Sequence, residues 1–240
     1  MSSRKQELGT DSAVPDRRSR LRAWTLQEIK AAALRQLAEH GVEGVSLNAI
    51  AKEIGMSGPA LYRYIPSRDE LLVALVVDAW EELADTLEQA AARHARADAA
   101  DRLTAIGLAY RAWGRSQPDR YRLAVSTRVG SGTLAPERVI PAAQRAMNVV
   151  LAAIAELPDA GQATDLPDSL SAELQTWTER VGGPPAPTPG LLRALLFWSR
   201  LHGLLSLELD DHLASMALDP ELLYRAELDA LGKDSQPWSA

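Results

Sequence analysis

Residues 46–68 read S-L-N-A-I-A-K-E-I-G-M-S-G-P-A-L-Y-R-Y-I-P-S-R and carry the signals for two short helices separated by a tight turn. In the first half, Leu47 and Ile50 recur at helical spacing and predict one apolar face. Ser46 precedes that face and is a candidate N-cap, because its hydroxyl can accept a hydrogen bond from a first-turn amide. Gly55 stands where helices commonly end in a left-handed residue, so we predict that the first helix ends there.

The second half of the stretch predicts a shorter helix with a polar, closely approachable surface. Ser57 is a candidate N-cap, and Pro59 suits the first turn, where its missing N–H costs no hydrogen bond. Leu61 and Ile65 are expected to point inward, whereas Arg63 and the tyrosines on either side of it mostly point elsewhere. This is the layout of a helix-turn-helix, in which the second helix enters the major groove of DNA.

Composition restricts the class of protein. The chain has 240 residues, 46% of them apolar, which is enough for one large domain or two small ones. The absence of cysteine excludes a disulfide framework, a thiolate metal site and a cysteine nucleophile. No signal peptide is recognisable, and the apolar run Leu71–Val77 is too short to cross a bilayer. We therefore expect a cytoplasmic protein that does not bind membranes, and no pattern indicates a metal or cofactor.

The charge of the chain is unevenly distributed. The net charge of −6 argues against a nucleic-acid binder when the chain is taken whole. Residues 1–70, however, hold 11 Lys and Arg against 9 Asp and Glu, a net +2, whereas residues 71–240 hold 15 against 23, a net −8. This asymmetry favours DNA contact by the first part alone, with chance fluctuation as the alternative.

The N-terminal residues 1–20 are polar and lack periodicity, which predicts a disordered basic arm. Its arginines are suited to phosphates or to a minor groove, although a plain solvated tail fits equally well. The capping box Thr25–Glu28 predicts the start of the first helix, with Trp24 and Ile29 as a hydrophobic staple across it.

Helical periodicity continues along the chain, and because no stretch alternates like a strand we predict an all-α fold. We assign a basic arm to residues 1–20, a three-helix helix-turn-helix DNA-binding domain to 21–70, and a larger helical ligand-binding and dimerisation domain to 71–240. Within the last part, the segment 182–190 (G-G-P-P-A-P-T-P-G) is predicted to be an irregular linker.

The helix predicted over residues 191–210 is apolar nearly all round. Such a helix must be covered on most sides, and a partner subunit can supply the cover that the chain itself does not. Ser199, Gly203 and Ser206 would allow another helix to approach closely. We predict a homodimer through the last two helices, the alternative being the central core helix of a monomer.

The stretch around the helix-turn-helix resembles the TetR family of bacterial repressors. The resemblance spans about residues 25–75 and includes V-E-G-V-S-L-N-A-I-A-K-E-I-G-M-S-G-P-A-L-Y-R-Y-I-P-S-R-D-E-L-L. Ile65 stands where the family usually has Phe, and Arg68 where it usually has Lys. A weaker resemblance, F-W-S-R-L-H-G at 197–203, points to the subgroup whose effector domain carries a W-x-x-x-H-G motif. The resemblance implies a dimeric, ligand-responsive transcriptional repressor.

The same resemblance implies which residues face double-stranded DNA. Asn48 and Arg63 have side chains that can read base edges, and Tyr62 and Arg68 suit phosphates. Ser46 and Ser57 can instead serve only as caps, and Tyr64 can instead be core. The full set is Ser46, Asn48, Ser57, Gly58, Pro59, Ala60, Tyr62, Arg63, Tyr64 and Arg68.

An effector site is harder to locate from sequence. Aromatic rings accompanied by a few polar groups are typical of small-ligand pockets. On this basis the candidates for contact with an unknown small-molecule effector are Tyr110, Trp113, Arg128, Trp177, Trp198 and His202. The alternative for each is a structural role, and a histidine on an apolar helix is most often a hydrogen-bonded core residue.

Two other classes of protein are the alternatives to a DNA-binding regulator. An enzyme is not expected, because the four histidines lack H-E-x-x-H spacing and no G-x-S-x-G or P-loop pattern occurs. The second alternative is a helical adaptor that binds protein and has no DNA activity. The run Tyr62–Tyr64 and the basic N-terminal part argue against it.

Overall fold

A computed structural model describes residues 16–126, 136–157, 166–181 and 187–233, and every regular element in these ranges is helical. None of the helices described there is long and apolar enough to cross a bilayer. The helices are α1 (Arg17–His40), α2 (Leu47–Glu53), α3 (Gly58–Tyr62), α4 (Arg68–Arg93), α5 (Ala99–Ser116), α6 (Pro118–Ser126), α7 (Pro136–Ala155), α8 (Asp168–Val181), α9 (Thr188–Leu209), α10 (His212–Ser215) and α11 (Pro220–Lys233), with a 3₁₀ turn at Val42–Gly44.

The chain divides into two compact units, Met1–Arg68 and Asp69–Ala240. In the first unit α2 packs against both α1 and α3. Its core holds Ile29 from α1, Ile50 from α2 and Leu61 from α3, all without solvent exposure. The all-α prediction is therefore confirmed for the described residues.

The turn between α2 and α3 forms as its residues predict. The Ser46 hydroxyl accepts a hydrogen bond from the Ala49 amide at 3.4 Å, and Leu47 is buried at the start of the helix. Gly55 has φ of 69°, a left-handed value that L side chains rarely adopt. The backbone thus reverses after α2 at the one residue in the turn that carries no side-chain penalty.

The start of α1 differs from the prediction. The helix begins at Arg17, where the Asp16 carboxylate caps it by accepting a hydrogen bond from the Arg18 amide at 2.9 Å. Residues 17–20 are thus helical rather than part of a disordered arm, and residues 1–15 lie outside the described ranges. Thr25 is two turns inside the helix, where its hydroxyl donates to the Leu21 carbonyl, so it does not cap.

The core of the second unit is built from α5, α7, α9 and α11, which pack against one another. Two glycines allow α5 to lie unusually close to its neighbours. A Cβ at Gly107 would overlap Leu228 of α11, and one at Gly114 would approach Leu205 of α9 to 2.6 Å. These approaches set the spacing of the three helices.

An ion-pair cluster around the buried Arg111 joins the same three helices. The Arg111 guanidinium on α5 donates two hydrogen bonds of 2.8 Å to Glu208 on α9 and contacts Glu221 on α11 at 3.4 Å. Arg115 adds a second contact to Glu208 at 3.2 Å. The pKa of Arg111 is raised chiefly by its hydrogen bonds to Glu208, so the charged form is retained despite burial.

The predicted linker over 182–190 is too long. Thr188, Pro189 and Gly190 form the first turn of α9, because Pro189 occupies an early position where a missing amide hydrogen is tolerated. Residues 182–186 lie outside the described ranges. The short helix α10 was not predicted, and its start requires Asp211 in a left-handed conformation, with φ of 58°.

Candidate nucleic-acid interface and ligand cavity

The second helix of the helix-turn-helix separates its side chains into two sets. Leu61 and, just past the helix, Ile65 are buried and hold α3 against the rest of the unit. Pro59, Tyr62 and Arg63 are exposed, with Tyr62 46% exposed. An exposed arginine and a tyrosine beside small residues suit contact with base edges and phosphates.

The polar residues before and within the turn lie on the exposed surface of the same unit. Ser46, Asn48 and Ser57 are exposed, and Gly58 and Ala60 are half-buried. The Ser57 side chain makes no cap hydrogen bond, although its carbonyl accepts from the Ala60 and Leu61 amides. Ser46, in contrast, caps α2, so its hydroxyl is already engaged.

An arginine from α1 joins the end of α3. The Arg22 guanidinium lies 5.2 Å above the Tyr64 ring and donates to the Arg63 carbonyl at 3.5 Å. Tyr64 is therefore half-buried beneath a cation, and Arg22 becomes part of the candidate interface. Arg22 was not among the predicted DNA-facing residues, although its place in a cluster of arginines before the capping box was a signal in the sequence.

Arg68 is occupied within its own unit. Its Nε donates to the Val45 carbonyl at 3.1 Å and its Nη2 to the Val42 carbonyl at 2.5 Å. Nη2 also lies 3.6 Å from Glu43. Arg68 thus holds the turn after α1 in place, and its predicted phosphate contact remains a prediction.

The second unit contains a cavity of about 450 Å³ between α4, α5, α7, α8 and α9. Of the predicted effector residues, Tyr110, Trp177 and Trp198 line it. Trp80 of α4 and Gln144 of α7 also line the cavity and were missed. The sequence predicted the helices that carry these two residues. It could not show which face of each helix borders the cavity, because that depends on helix packing.

The other predicted effector residues lie elsewhere. Trp113 is buried in the core with its ring centroid 6.4 Å from that of Tyr121, and Arg128 lies outside the described residues. His202 lies beside a smaller pocket of about 170 Å³. Its Nδ1 is 2.7 Å from the Tyr121 hydroxyl, which also lies 3.0 Å from the Ser206 hydroxyl.

Burial changes the acid–base behaviour of these aromatic and histidine side chains. It lowers the pKa of His202, because desolvation disfavours the imidazolium form. Burial also raises the pKa of Tyr110 well above its ordinary value, and the neighbouring Tyr121 adds to this effect. Both groups are therefore neutral at physiological pH.

Family models match both parts of the chain. The model described as "Bacterial regulatory proteins, tetR family" matches residues 29–75, and the model described as "Tetracyclin repressor-like, C-terminal domain" matches residues 103–231. The second match alone covers more than half of the chain.

Similar proteins and structures agree with these matches. The chain is 34% identical over 198 residues to the HTH-type transcriptional regulator Rv1816 of Mycobacterium tuberculosis (strain ATCC 25618 / H37Rv), covering 80% of this chain and 84% of that protein. The crystal structure of the candidate regulatory protein SCO4313 has a TM-score of 0.75 and 43% identity, covering 91% and 98% of the two chains. The transcriptional regulator FadR from Bacillus subtilis, solved in complex with stearoyl-CoA, shares the fold with a TM-score of 0.59, 13% identity and coverage of 86% and 97%.

Proposed function

The chain belongs to the TetR family of bacterial regulatory proteins, and from that premise we propose that it is a ligand-responsive repressor binding a near-palindromic operator as a homodimer. Its role as a DNA-binding transcriptional regulator follows from the family itself. The sign of regulation, the response to a ligand and the residues involved are the parts that we propose.

The observation that carries the proposal is the exposed surface of α3. Tyr62 and Arg63 project from a helix whose other side is anchored by Leu61 and Ile65. A rigidly held helix that presents an arginine can donate two hydrogen bonds to one guanine in the major groove. The proposed DNA-facing residues remain Ser46, Asn48, Ser57, Gly58, Pro59, Ala60, Tyr62, Arg63, Tyr64 and Arg68, to which we add Arg22.

In this proposal residues 21–70 bind DNA, and residues 71–240 bind the ligand and form the dimer. The dimer would form through α9 and α11. Leu207 on α9 and Leu222 on α11 are 39% and 67% exposed, and Gly203 has open space where a Cβ would stand. Two copies of these helices could bury the exposed leucines against each other.

Ligand response would arise from a shift between two arrangements of the paired DNA-binding units. A ligand lifts repression only if it binds more tightly to the arrangement that does not fit the operator. The cavity lined by Tyr110, Trp177 and Trp198 is the proposed ligand site. We also assign the effector domain to the W-x-x-x-H-G subgroup, supported by Trp198, whose ring stacks on His202 with centroids 5.5 Å apart.

The experiment that tests DNA recognition is selection of bound sequences from a random duplex pool, followed by footprinting. A dimer should select a near-palindrome with half-sites about 34–36 Å apart, one helical turn of DNA, or a multiple of that distance. An asymmetric single half-site would contradict the dimeric mode. The same titration at several salt concentrations should show affinity falling steeply as salt rises, because phosphate contacts release counterions.

A helical adaptor that binds protein and lacks DNA activity is the second candidate. It would be supported instead by failure to retain any duplex, even at low ionic strength. Salt dependence separates the two candidates because only a DNA binder displaces a condensed counterion atmosphere.

A further inference from the structure

The lining of the cavity in the second unit carries no formal charge among the described residues. Sixteen side chains line it, and none of them is Asp, Glu, Lys, Arg or His. A carboxylate or phosphate placed there would lose its hydration without gaining an ionic partner, which is strongly unfavourable. The described lining therefore disfavours a ligand whose charged group would lie inside the cavity.

Aromatic rings form much of the wall. Trp80, Tyr110, Trp177, Phe197 and Trp198 contribute rings from four different helices. Trp198 is held in orientation by its stack on His202, at an interplanar angle of 10°. Rings fixed in this way favour a ligand that itself contains a ring, because offset and edge-to-face contacts add to simple burial.

Few polar atoms interrupt the apolar surface. Trp80 Nε1 and Tyr110 Oη have no hydrogen-bond partner in the described part of the chain, but both atoms are buried and neither is accessible from the cavity. Gln144 also lines the cavity, and its Nε2 already donates to Asn148 Oδ1 at 2.8 Å, which leaves its Oε1 as an acceptor.

We propose that this cavity binds an uncharged, largely apolar molecule that contains a ring. The volume of about 450 Å³ falls within the range of roughly 300–1,000 Å³ typical of sites for drug-sized molecules. The inference rests on the proposed function, in which the effector domain binds a small molecule.

The charge requirement can be tested with two fluorescent probes that differ by one anionic group. N-phenylnaphthylamine is neutral, and anilinonaphthalene sulfonate has the same ring system with a sulfonate added. Titrated into the full-length protein, the neutral probe should bind at least tenfold more tightly and should quench tryptophan emission. Equal or tighter binding of the sulfonate would overturn the proposal.

Two matched variants on α7 locate the probe. Ala143 lines the cavity, and Ala143→Phe should fill part of it and weaken binding of the neutral probe at least tenfold. Ala155 is exposed at the end of the same helix, and Ala155→Phe should leave the affinity unchanged. An unchanged affinity in Ala143→Phe would place the probe elsewhere and overturn the proposal.

A rim variant keeps the test decisive if Ala143→Phe does not fold. Ile140 lines the cavity and is 36% exposed, so Ile140→Arg brings a cation to the opening without burying it fully. The ratio of the two affinities should then move at least fivefold toward the sulfonate. An unchanged ratio would contradict the assignment of the site.

The outcomes separate this inference from the function on which it rests. Tight sulfonate binding that is lost in Ala143→Phe would leave a ligand-binding effector domain standing and would overturn only the ligand class. Failure of both probes to bind, up to their solubility limits, would overturn both ligand proposals while leaving DNA binding to its own test.

Discussion

At the residue scale, two arginines of the first unit have different surroundings. Arg63 is exposed at the end of α3, and its backbone carbonyl, rather than its side chain, receives Arg22. Arg68 donates its guanidinium hydrogens to carbonyls of the turn after α1. Charge alone would treat the two residues as equivalent, but their exposure differs, and Arg63 is the one that we propose reads a base.

Arg63→Ala is expected to weaken operator binding by about 1–3 kcal/mol and to relax the sequence preference at one base pair, because a bidentate contact to guanine would be lost. The measurement is a mobility-shift titration against the selected operator and its single-base variants. Arg93→Ala is the control, since it removes an equal charge from an exposed position of the second unit, away from α9 and α11. Binding unchanged by Arg63→Ala would exclude Arg63 from the interface.

His202 predicts a pH dependence of stability. Its pKa is lowered by burial in the folded state, so between that value and the unfolded value of about 6.5 the unfolded chain binds more protons. The free energy of unfolding should therefore be fully retained above about pH 6.5 and should fall as the pH drops below it. The groups around the ring are Tyr121, Ser206 and Trp198, with the Arg122–Asp210 ion pair in the same pocket.

The measurement is the midpoint of thermal unfolding between about pH 7.5 and about pH 5.5. Wild type should lose more stability over this window than His202→Gln, whose neutral amide does not titrate. His212→Gln, at an exposed position, should follow wild type. Parallel curves for wild type and His202→Gln would contradict the predicted contribution.

At the element scale, the packing of the second unit depends on α5. It packs against α7, α9 and α11, and its two interior glycines let neighbouring leucines approach its backbone. Close packing transmits small changes in volume, because the interior has few voids into which a displaced side chain can move. The buried Arg111–Glu208 pair then fixes how α5 and α9 are aligned.

Gly107→Ala is expected to destabilise the protein by about 1–3 kcal/mol, because the new methyl group would overlap the buried side chain of Leu228. Gly232→Ala is the matched control. Its methyl group would meet only Ala100, at 3.6 Å, so the better helix propensity of alanine should stabilise it by up to about 1 kcal/mol. Urea denaturation measures both, and equal stability of the two variants would contradict the proposed tight contact.

At the scale of the whole molecule, the proposed function requires two copies. One helix-turn-helix contacts a single half-site, and a second copy doubles the number of base contacts and selects for operator symmetry. The exposed leucines of α9 and α11 are the surface that a second copy would cover.

The double variant Leu207→Glu/Leu222→Glu is expected to convert the dimer to a monomer and to reduce operator affinity by at least roughly tenfold, because buried unpaired carboxylates oppose association. Sedimentation velocity gives the assembly state and a mobility shift gives the affinity. Leu21→Glu, at a position 61% exposed on α1, should leave the assembly unchanged. A double variant that still sediments as a dimer would show that the interface lies elsewhere.

The features predicted correctly from sequence depend on neighbouring residues. Ser46 caps α2 and Gly55 takes a left-handed conformation, as their places in the sequence predict. Capping, turn geometry and helical spacing involve groups within a few positions of one another, so one stretch of sequence contains all the groups that take part. The family resemblance rested on the same kind of local pattern.

The predictions that were wrong or incomplete depend on residues far apart in the chain. Arg22 meets Tyr64, and Arg68 meets Val42, only after α1 and α3 have packed in the same unit. Trp80 and Gln144 line the cavity, whereas Trp113 is packed into the core, because helix packing decides which face of each helix borders a void. The sequence by itself therefore determined the helices and the DNA-reading motif, because capping and periodicity are local. Only the tertiary structure decided which side chains are exposed, paired or available to a ligand, because those properties arise from long-range packing.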